Sequence, residues 1–450
     1  MNTQKGKSSK QKVSRNRGRR DGWMWKGITN RHPIGSIDHA TLEPSSSPVS
    51  SLTSCELLCT YNWQNSKKLE IEIPGHAPVW QDKQLPITLP QDRGTYFVDQ
   101  NAARLPEYPF ESLFRAAVSM NPSFRFDDID IVVNRNSLRK LLDFSKGVSQ
   151  DNFRVNLLIV NNTLFIERCE RSATMMIRGS HQTPGYGKSF EQAFTRSPDG
   201  MDRGAGHHRV LQYSLGELNC AVQFEVDACY QNESEEEEGE ELPDRGVRLV
   251  IDTYDPLLKD TRTEESLHSK MENLNIATSS SKRPLTSKSA LSRPSPSSRT
   301  GPNATKLIAS IGKLDQVMPQ SSALELKTTA KHRGTGKYLP QLWFGRTPWL
   351  IVGHHTNGKF DELKITNLKS EDFVGWETKN QTALQKMVRV LEQLRDVAKK
   401  HQGSPCIAIF ERRESEPRAI NIYPSSLSNK RALPEDLINR LWVSLEASRL

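Results

Sequence analysis

Two short stretches, Phe224-Glu225-Val226-Asp227-Ala228 and Leu324-Glu325-Leu326-Lys327-Thr328, decide the reading of this chain. Each alternates with period two, so in an extended strand Glu225 and Asp227 project from one face and Phe224, Val226 and Ala228 from the other. The same alternation sets Glu325 beside Lys327. Three carboxylates gathered at one place repel one another, and a hard divalent cation that prefers carboxylate oxygen and water, Mg2+ or Mn2+, relieves the repulsion. A lysine beside them can hold an attacking water or balance charge on a phosphoryl group in the transition state. Either pair taken alone reads more readily as a solvated strand face, but the order E-x-D, then E-x-K, across two strands is the arrangement expected of a metal-dependent phosphodiester hydrolase of the PD-(D/E)XK type. The expected geometry places Glu225 and Asp227 within a few ångströms of Glu325 on strands of one sheet. The separation of 98 residues (325 − 227) between Asp227 and Glu325 is no obstacle, because a surface insertion between adjacent strands costs little stability.

Working outward, residues 209–214 and 218–230 read as a hairpin turning at Leu215-Gly216-Glu217. Residues 57–63 and 69–73 read as strands, broken by Pro74 and Gly75. Apolar residues at 110, 113, 114, 117 and 118 predict a helix over 110–120, started after Pro109 and stopped before Pro122. A strand at 129–134, a helix at 137–144, strands at 153–160 and 163–169 joined by Asn161-Asn162, and a helical piece at 191–194 come next. Further on are strands at 323–328 and 349–353 and a helix at 382–400 with apolar residues at 384, 387, 388, 391, 394 and 397. Strands at 406–411 and 419–423 and a closing helix at 434–448 complete the chain. This irregular order predicts an α+β fold, with mixed β-sheets flanked by helices in a single large nuclease-like domain.

The 450 residues carry 62 Lys+Arg against 53 Asp+Glu, a net charge of +9, and only 35% are hydrophobic, so part of the chain is expected outside any core. The longest apolar stretches, such as residues 157–160 and 349–352, fall far short of the ~20 residues of a membrane span. The first thirty residues lack an apolar h-region, which argues against a secretory signal. Residues 1–31 hold five Lys and five Arg against the single acid Asp21 and read as part of a disordered basic arm over 1–50. That arm fits nuclear targeting, an electrostatic grip on a phosphate backbone, or a plain solvated tail. Seven Glu occupy residues 233–241 and a Ser/Thr/Pro/Lys/Arg-rich stretch covers 277–305, so 231–305 reads as a mostly disordered insertion with one short strand at 247–252. It divides the domain into residues 51–230 and 306–450.

Other constellations carry less. The six cysteines form no CxxC, and Cys55 and Cys59, with no partner at ligand spacing, read as small semi-buried side chains in a reducing compartment. His207-His208 and His354-His355 are adjacent, hence poor ligand pairs, and read as loop residues. Asp127-Asp128-Ile129-Asp130 lacks the spacing of a prenyl-diphosphate site, and Gly185-Tyr186-Gly187-Lys188-Ser189 lacks the upstream glycine of a phosphate-binding loop.

Segment by segment the chain resembles the DXO-type decapping exoribonucleases. Ile131-Val132-Val133-Asn134-Arg135 is similar to the family's strand and helix-initial arginine, and Gly187-Lys188-Ser189-Phe190-Glu191 to its G-φ-x-x-E motif. Glu225-Val226-Asp227 resembles its E-h-D motif and Glu325-Leu326-Lys327 its E-h-K motif. Gln341, Pro348 and Gly353 are spaced like the Gln, Pro and strand Gly that the family carries after its fourth motif. Two positions depart: Lys188 stands where the family has an apolar residue, and Asn136 where it usually has glycine. The resemblance implies that Glu191, Asp227, Glu325 and the Leu326 carbonyl bind Mg2+ or Mn2+, that Glu225 does so through water, and that Lys327 orients the nucleophilic water. Arg135 and Gln341 would hold phosphates and nearby RNA. It further implies removal of incomplete or non-canonical caps, or of 5′ di- and triphosphates, with 5′ to 3′ exonuclease activity in RNA quality control. A 5′ to 3′ exoribonuclease is the implied partner, the protein would be monomeric, and the setting nuclear or cytoplasmic. The rival readings are a catalytically inactive RNA-binding or scaffold protein that keeps the fold, and an interaction protein that works through its insertion.

Overall fold

Runs of β-branched and aromatic residues, punctuated by turn residues, build two mixed sheets. The computed structural model describes residues 21–177, 185–231, 306–312, 317–330, 334–401, 403–413, 416–427 and 429–442. Among the described residues the larger sheet has eleven strands, in the order β1 (Gly35–Asp38), β20 (Ala419–Pro424), β19 (Cys406–Phe410), β8 (Phe153–Val160), β9 (Thr163–Cys169), β7 (Ile131–Asn134), β13 (Leu218–Val226), β12 (Gly204–Leu215), β2 (Cys55–Gln64), β3 (Glu70–Ile73) and β15 (Ile308–Ile311). The second sheet runs β11 (Thr195–Arg196), β4 (Val79–Trp80), β14 (Ala228–Cys229), β16 (Ala323–Thr329), β17 (Trp349–Thr356), β18 (Lys359–Asn367) and β5 (Ile87–Thr88). A separate pair joins β6 (Gly94–Phe97) to β10 (Thr174–Ile177).

The helices are α1 (Gln100–Arg104), α2 (Glu111–Met120), α3 (Arg135–Ser145), α4 (Gly187–Phe194), α5 (Leu339–Gly345), α6 (Ser370–Lys400) and α7 (Glu435–Leu441). Period-two alternation makes the larger sheet the middle of three layers. Ile131 and Val133, with Leu164 and Ile166, face Leu138, Leu141 and Leu142 of α3 and the Leu384-to-Leu394 stripe of α6. Val132 and Phe165 point the other way, onto Leu113, Phe114 and Ala117 of α2 and Leu437 of α7. The second sheet has its own small core, in which Phe190 and Phe194 of α4 meet Trp80, Leu324, Leu326, Ile351 and Phe360. The α+β fold with mixed sheets flanked by helices is therefore the one present.

Several boundaries differ from the sequence reading. The arm drawn to residue 50 is folded from residue 21 onward: β1 pairs antiparallel with β20, Met24 is buried against Ile407, Ile409 and Tyr423, and the Trp25 ring meets Tyr423 edge-on at 5.3 Å. Met24 with its neighbours Trp23, Trp25 and Ile28, and further on Ile37, Leu42 and Val49, are the apolar side chains that anchor it. Helix α6 starts twelve residues earlier than its periodic stripe (382 − 370), because Asp372 caps its first turn and Phe373 and Trp376 extend the buried face. Both histidine pairs lie on strands, β12 and β17, and not in loops. The closing helix expected over 434–448 is helical at Glu435–Leu441, with Trp442 already extended; residues 1–20 of the arm, residues 232–305 with the expected strand at 247–252, and residues 443–450 lie outside the described residues. No helix among the described residues is long and apolar enough to cross a membrane.

Candidate active site

Asp227 sits where the chain changes sheets. Strand β13, which carries Glu225, belongs to the larger sheet, while β16, which carries Glu325, belongs to the smaller, so the two acidic strands do not share a sheet as the sequence reading required. The chain itself bridges the gap, passing from β13 through Asp227 into β14. Strand β14 runs antiparallel to β16 with Ala228 opposite Leu324, and the same register carried one residue on sets Asp227 opposite Glu325. The Leu326 N–H donates to Asp227 Oδ2 at 2.9 Å. Leu324 and Leu326 fill the small core, which turns Glu325 and Lys327 to the other face.

Glu325, 1% exposed, is the hub. Lys327 Nζ forms an ion pair with Glu325 Oε1 and lies 3.5 Å from Asp227 Oδ2. Gln341 Nε2 donates to the same Glu325 oxygen, and Arg139 Nη1 donates to Gln341 Oε1 at 3.1 Å, fixing the amide. Arg135, the first residue of α3, places Nη2 3.2 Å from Glu325 Oε2 and donates to the Glu225 carbonyl at 3.1 Å, its guanidinium 5.0 Å from the centre of the Phe224 ring. Gly345 leaves room for it, since a Cβ there would lie 2.9 Å from Arg135 Nη1. The sequence motifs thus meet at one place: Arg135, Glu225, Asp227, Glu325, Lys327 and Gln341 all line or join this cluster.

Glu191 arrives on α4. Asp92 Oδ1 accepts the Ser189 N–H at 2.9 Å in the first turn of that helix, and Phe190 and Phe194 stack against Phe360 and Trp80. Gly353 of β17 permits this approach, because a Cβ there would stand 2.6 Å from Phe190. Lys188 Nζ pairs with Glu191 Oε2 at 2.7 Å.

Burial pushes the Glu191 carboxyl up to about 7, helped by repulsion from Asp227. Glu325 is raised by burial and then by Asp227, and Glu225 is raised by burial. Burial opposes the charge on Asp227 as well, but Lys327, Lys188 and the Leu326 N–H outweigh it and hold that carboxyl below its usual range. Two cavities flank the cluster, with Gln100 and Glu225 in the wall of both. The larger, about 540 Å³, is lined by Lys188, Glu191, Asp227, His207, Tyr96 and Phe97 among others. The smaller, about 140 Å³, is cationic, with Arg135, Arg139 and Arg168. As adjacent strand residues must, the two histidines of β12 face opposite ways. His207 lines the larger cavity, while His208 stacks on Tyr61 at 5.1 Å beside the smaller one, its pKa pushed by burial down to about 4.

Among the described residues no three His, Cys, Asp or Glu side chains stand in ready metal-holding geometry. The donor chemistry nevertheless suits a hard divalent ion: Glu191, Asp227 and Glu325 offer oxygen alone, and buried Glu325 Oε2 makes no hydrogen bond and meets only the Arg135 guanidinium, at 3.2 Å. Ammonium groups of Lys188 and Lys327 stand among the carboxylates instead. The Lys188–Glu191 pair escaped the sequence reading although its i, i+3 spacing on a helix is a legible signal. The support of Gln341 by Arg139 and the placing of Arg168 and His208 arise from tertiary packing, and no local pattern marks them.

No curated protein is matched by the sequence. Among solved structures, Scheffersomyces stipitis Rai1 in complex with (3'-NADP)+ and calcium ion superimposes with a TM-score of 0.50 at 12% identity, covering 92% of this chain and 98% of that one. Candida albicans Rai1 in complex with pU5-Mn2+ gives 0.48 at 10% identity, over 90% of this chain and 98% of that one. Schizosaccharomyces pombe Rai1 in complex with 3'-FADP gives 0.48 at 10% identity, over 87% and 99%. The fold is that of the Rai1 structures, as the motif resemblance implied. A family model matches residues 31–289 and 247–442, and the chain belongs to the family that this model describes, Domain of unknown function (DUF8563).

Proposed function

We propose that this protein is a divalent-metal-dependent hydrolase of RNA 5′ ends, removing incomplete or non-canonical caps, or 5′ di- and triphosphates, with 5′ to 3′ exonuclease activity on the RNA behind them. One observation supports this reading above the others: two segments 98 residues apart (325 − 227) converge, and Lys327 stands between the carboxylates of Asp227 and Glu325. In this reading Glu191, Asp227, Glu325 and the Leu326 carbonyl hold Mg2+ or Mn2+, with Glu225 reaching it through water. A bound ion of this kind polarises a phosphoryl oxygen and acidifies water. Lys327 orients the attacking water. Arg135, braced on Phe224, and Gln341, braced by Arg139, grip phosphate oxygens, the arginine through its planar fork. The nucleotide and calcium ion of the S. stipitis Rai1 complex support a site of this chemistry on this fold. A 5′ to 3′ exoribonuclease partner, a monomeric state, and a nuclear or cytoplasmic setting belong to the same proposal.

The test is incubation of the protein with 5′-triphosphate, unmethylated-cap and NAD-capped RNAs in Mg2+ or Mn2+, followed by end-group analysis, with Asp227→Asn as control. Release of an end group by wild type alone is expected. A catalytically silent RNA-binding protein is the second reading, favoured by the ion pairs that Lys188 and Lys327 make with the site carboxylates. RNA binding with no end group released from any substrate would establish it.

A further inference from the structure

Lys188 is the second residue of α4 and lies three residues before Glu191, the spacing at which helical side chains meet. Its Nζ is 2.7 Å from Glu191 Oε2, and the two side chains are 42% and 26% exposed. The ammonium can therefore swing off the carboxylate and stay within the large cavity, which both residues line together with Glu225 and Asp227. The other cations are less free. Lys327 is tied to Glu325 and Asp227, and Arg135 to Glu325 and the Glu225 carbonyl, with side chains 26% and 10% exposed. Fully ionised, Glu191, Glu225, Asp227 and Glu325 carry four negative charges against three positive ones on Lys188, Lys327 and Arg135, so a divalent ion entering the cluster makes one of the cations superfluous. The one with the most water around it is Lys188.

We infer that Lys188 is an exchangeable counter-cation: it holds Glu191 in the metal-free site, yields that carboxylate to a divalent ion, and then turns into the cavity to take a substrate phosphate. This rests on the reading of the site as metal-dependent and adds that ion and phosphate binding are coupled through one side chain. An ion that has to displace an ammonium binds more weakly than one that meets a free carboxylate, and a partly exposed pair of this kind corresponds to about fivefold in affinity.

The experiment is calorimetric titration of Mn2+ into wild type, Lys188→Met, Lys188→Arg and Asp227→Asn, then of AMP into the same proteins in saturating Mn2+. Lys188 is half-exposed, so its variants leave the core intact, and melting in EDTA checks this. Lys188→Met is expected to bind Mn2+ about fivefold more tightly and AMP about fivefold more weakly than wild type, with Lys188→Arg close to wild type in both. Mn2+ binding by Lys188→Met no tighter than by wild type, with Asp227→Asn binding none, overturns the exchange and leaves the metal reading standing. An absence of Mn2+ binding in wild type as well overturns both.

Discussion

Replacing Glu191 by glutamine is expected to stabilise the metal-free protein at pH 8 and to leave it nearly unchanged at pH 5. The carboxyl is raised from 4.5 to about 7 by burial and by Asp227, so the folded protein holds this proton more tightly than the unfolded chain does. Its contribution to stability is therefore complete below pH 4.5 and is lost as the pH climbs through about 7. At about 1.4 kcal/mol per unit, the full linkage comes to about 3 kcal/mol. A quarter of the side chain meets water, and the variant also forfeits the pair with Lys188, which reduces the expected gain to about 1–2 kcal/mol. Urea denaturation in EDTA at pH 5 and pH 8 measures it. Wild type should lose stability across that interval and the Glu191→Gln protein should lose less. A variant equal to or weaker than wild type at pH 8, or one that gains as much at pH 5, would refute the placement of Glu191 as a desolvated carboxylate facing Asp227.

Gly353→Ala puts a methyl group 2.6 Å from Phe190 and is expected to cost about 1–3 kcal/mol in urea denaturation, with a weakened Mn2+ site because α4 carries Glu191 outward. Lys327→Met should lower turnover on a capped RNA about a hundredfold or more while RNA affinity stays within about threefold; a parallel loss of both would make the lysine a binding group. Deleting residues 1–20, which hold eight Lys and Arg, should weaken RNA binding chiefly at low salt and flatten its salt dependence by roughly 0.7 for each phosphate the arm neutralises. The cut stops at residue 20 because Met24 and Trp25 pack onto β19 and β20. Turnover at saturating RNA should survive that deletion, and an unchanged salt slope would show the arm to be idle.

Local pattern carried much of the architecture. The hairpin of β8 and β9 follows from alternating apolar residues on either side of Asn161, which adopts the left-handed conformation at φ 49° that asparagine tolerates. Helix α2 is bounded by its prolines, and the β12–β13 turn by Gly216. The elements that stayed hidden lack an apolar period. Strand β18 exposes most of its residues and is held through hydrogen bonds to β17, and β1 is four residues anchored by a neighbour nearly four hundred positions away (421 − 36). The site divides in the same way. Acidic residues at spacing two on strands are visible in the chain, whereas the change of sheet at Asp227 depends on where β14 finds a partner, and that is a property of the assembled fold.

The sheet change at Asp227 also bears on the order in which the molecule comes into being. Asp227 and Glu325 are made 98 residues apart (325 − 227), and closing a loop of that length costs about 2 kcal/mol more than closing one of ten residues. Strand β13 can pair with β12 through a two-residue turn as soon as both exist, but β14 cannot find β16 until the chain has grown through the whole intervening stretch. At about 5–20 residues per second of synthesis, that is a delay of about 5–20 s on the ribosome. Throughout it, Glu225 and Asp227 are present without Glu325, Lys327 or Gln341. A nascent chain in this state holds half of the buried charge cluster, and Glu225 and Asp227 meet no Lys327 until the second half has been made.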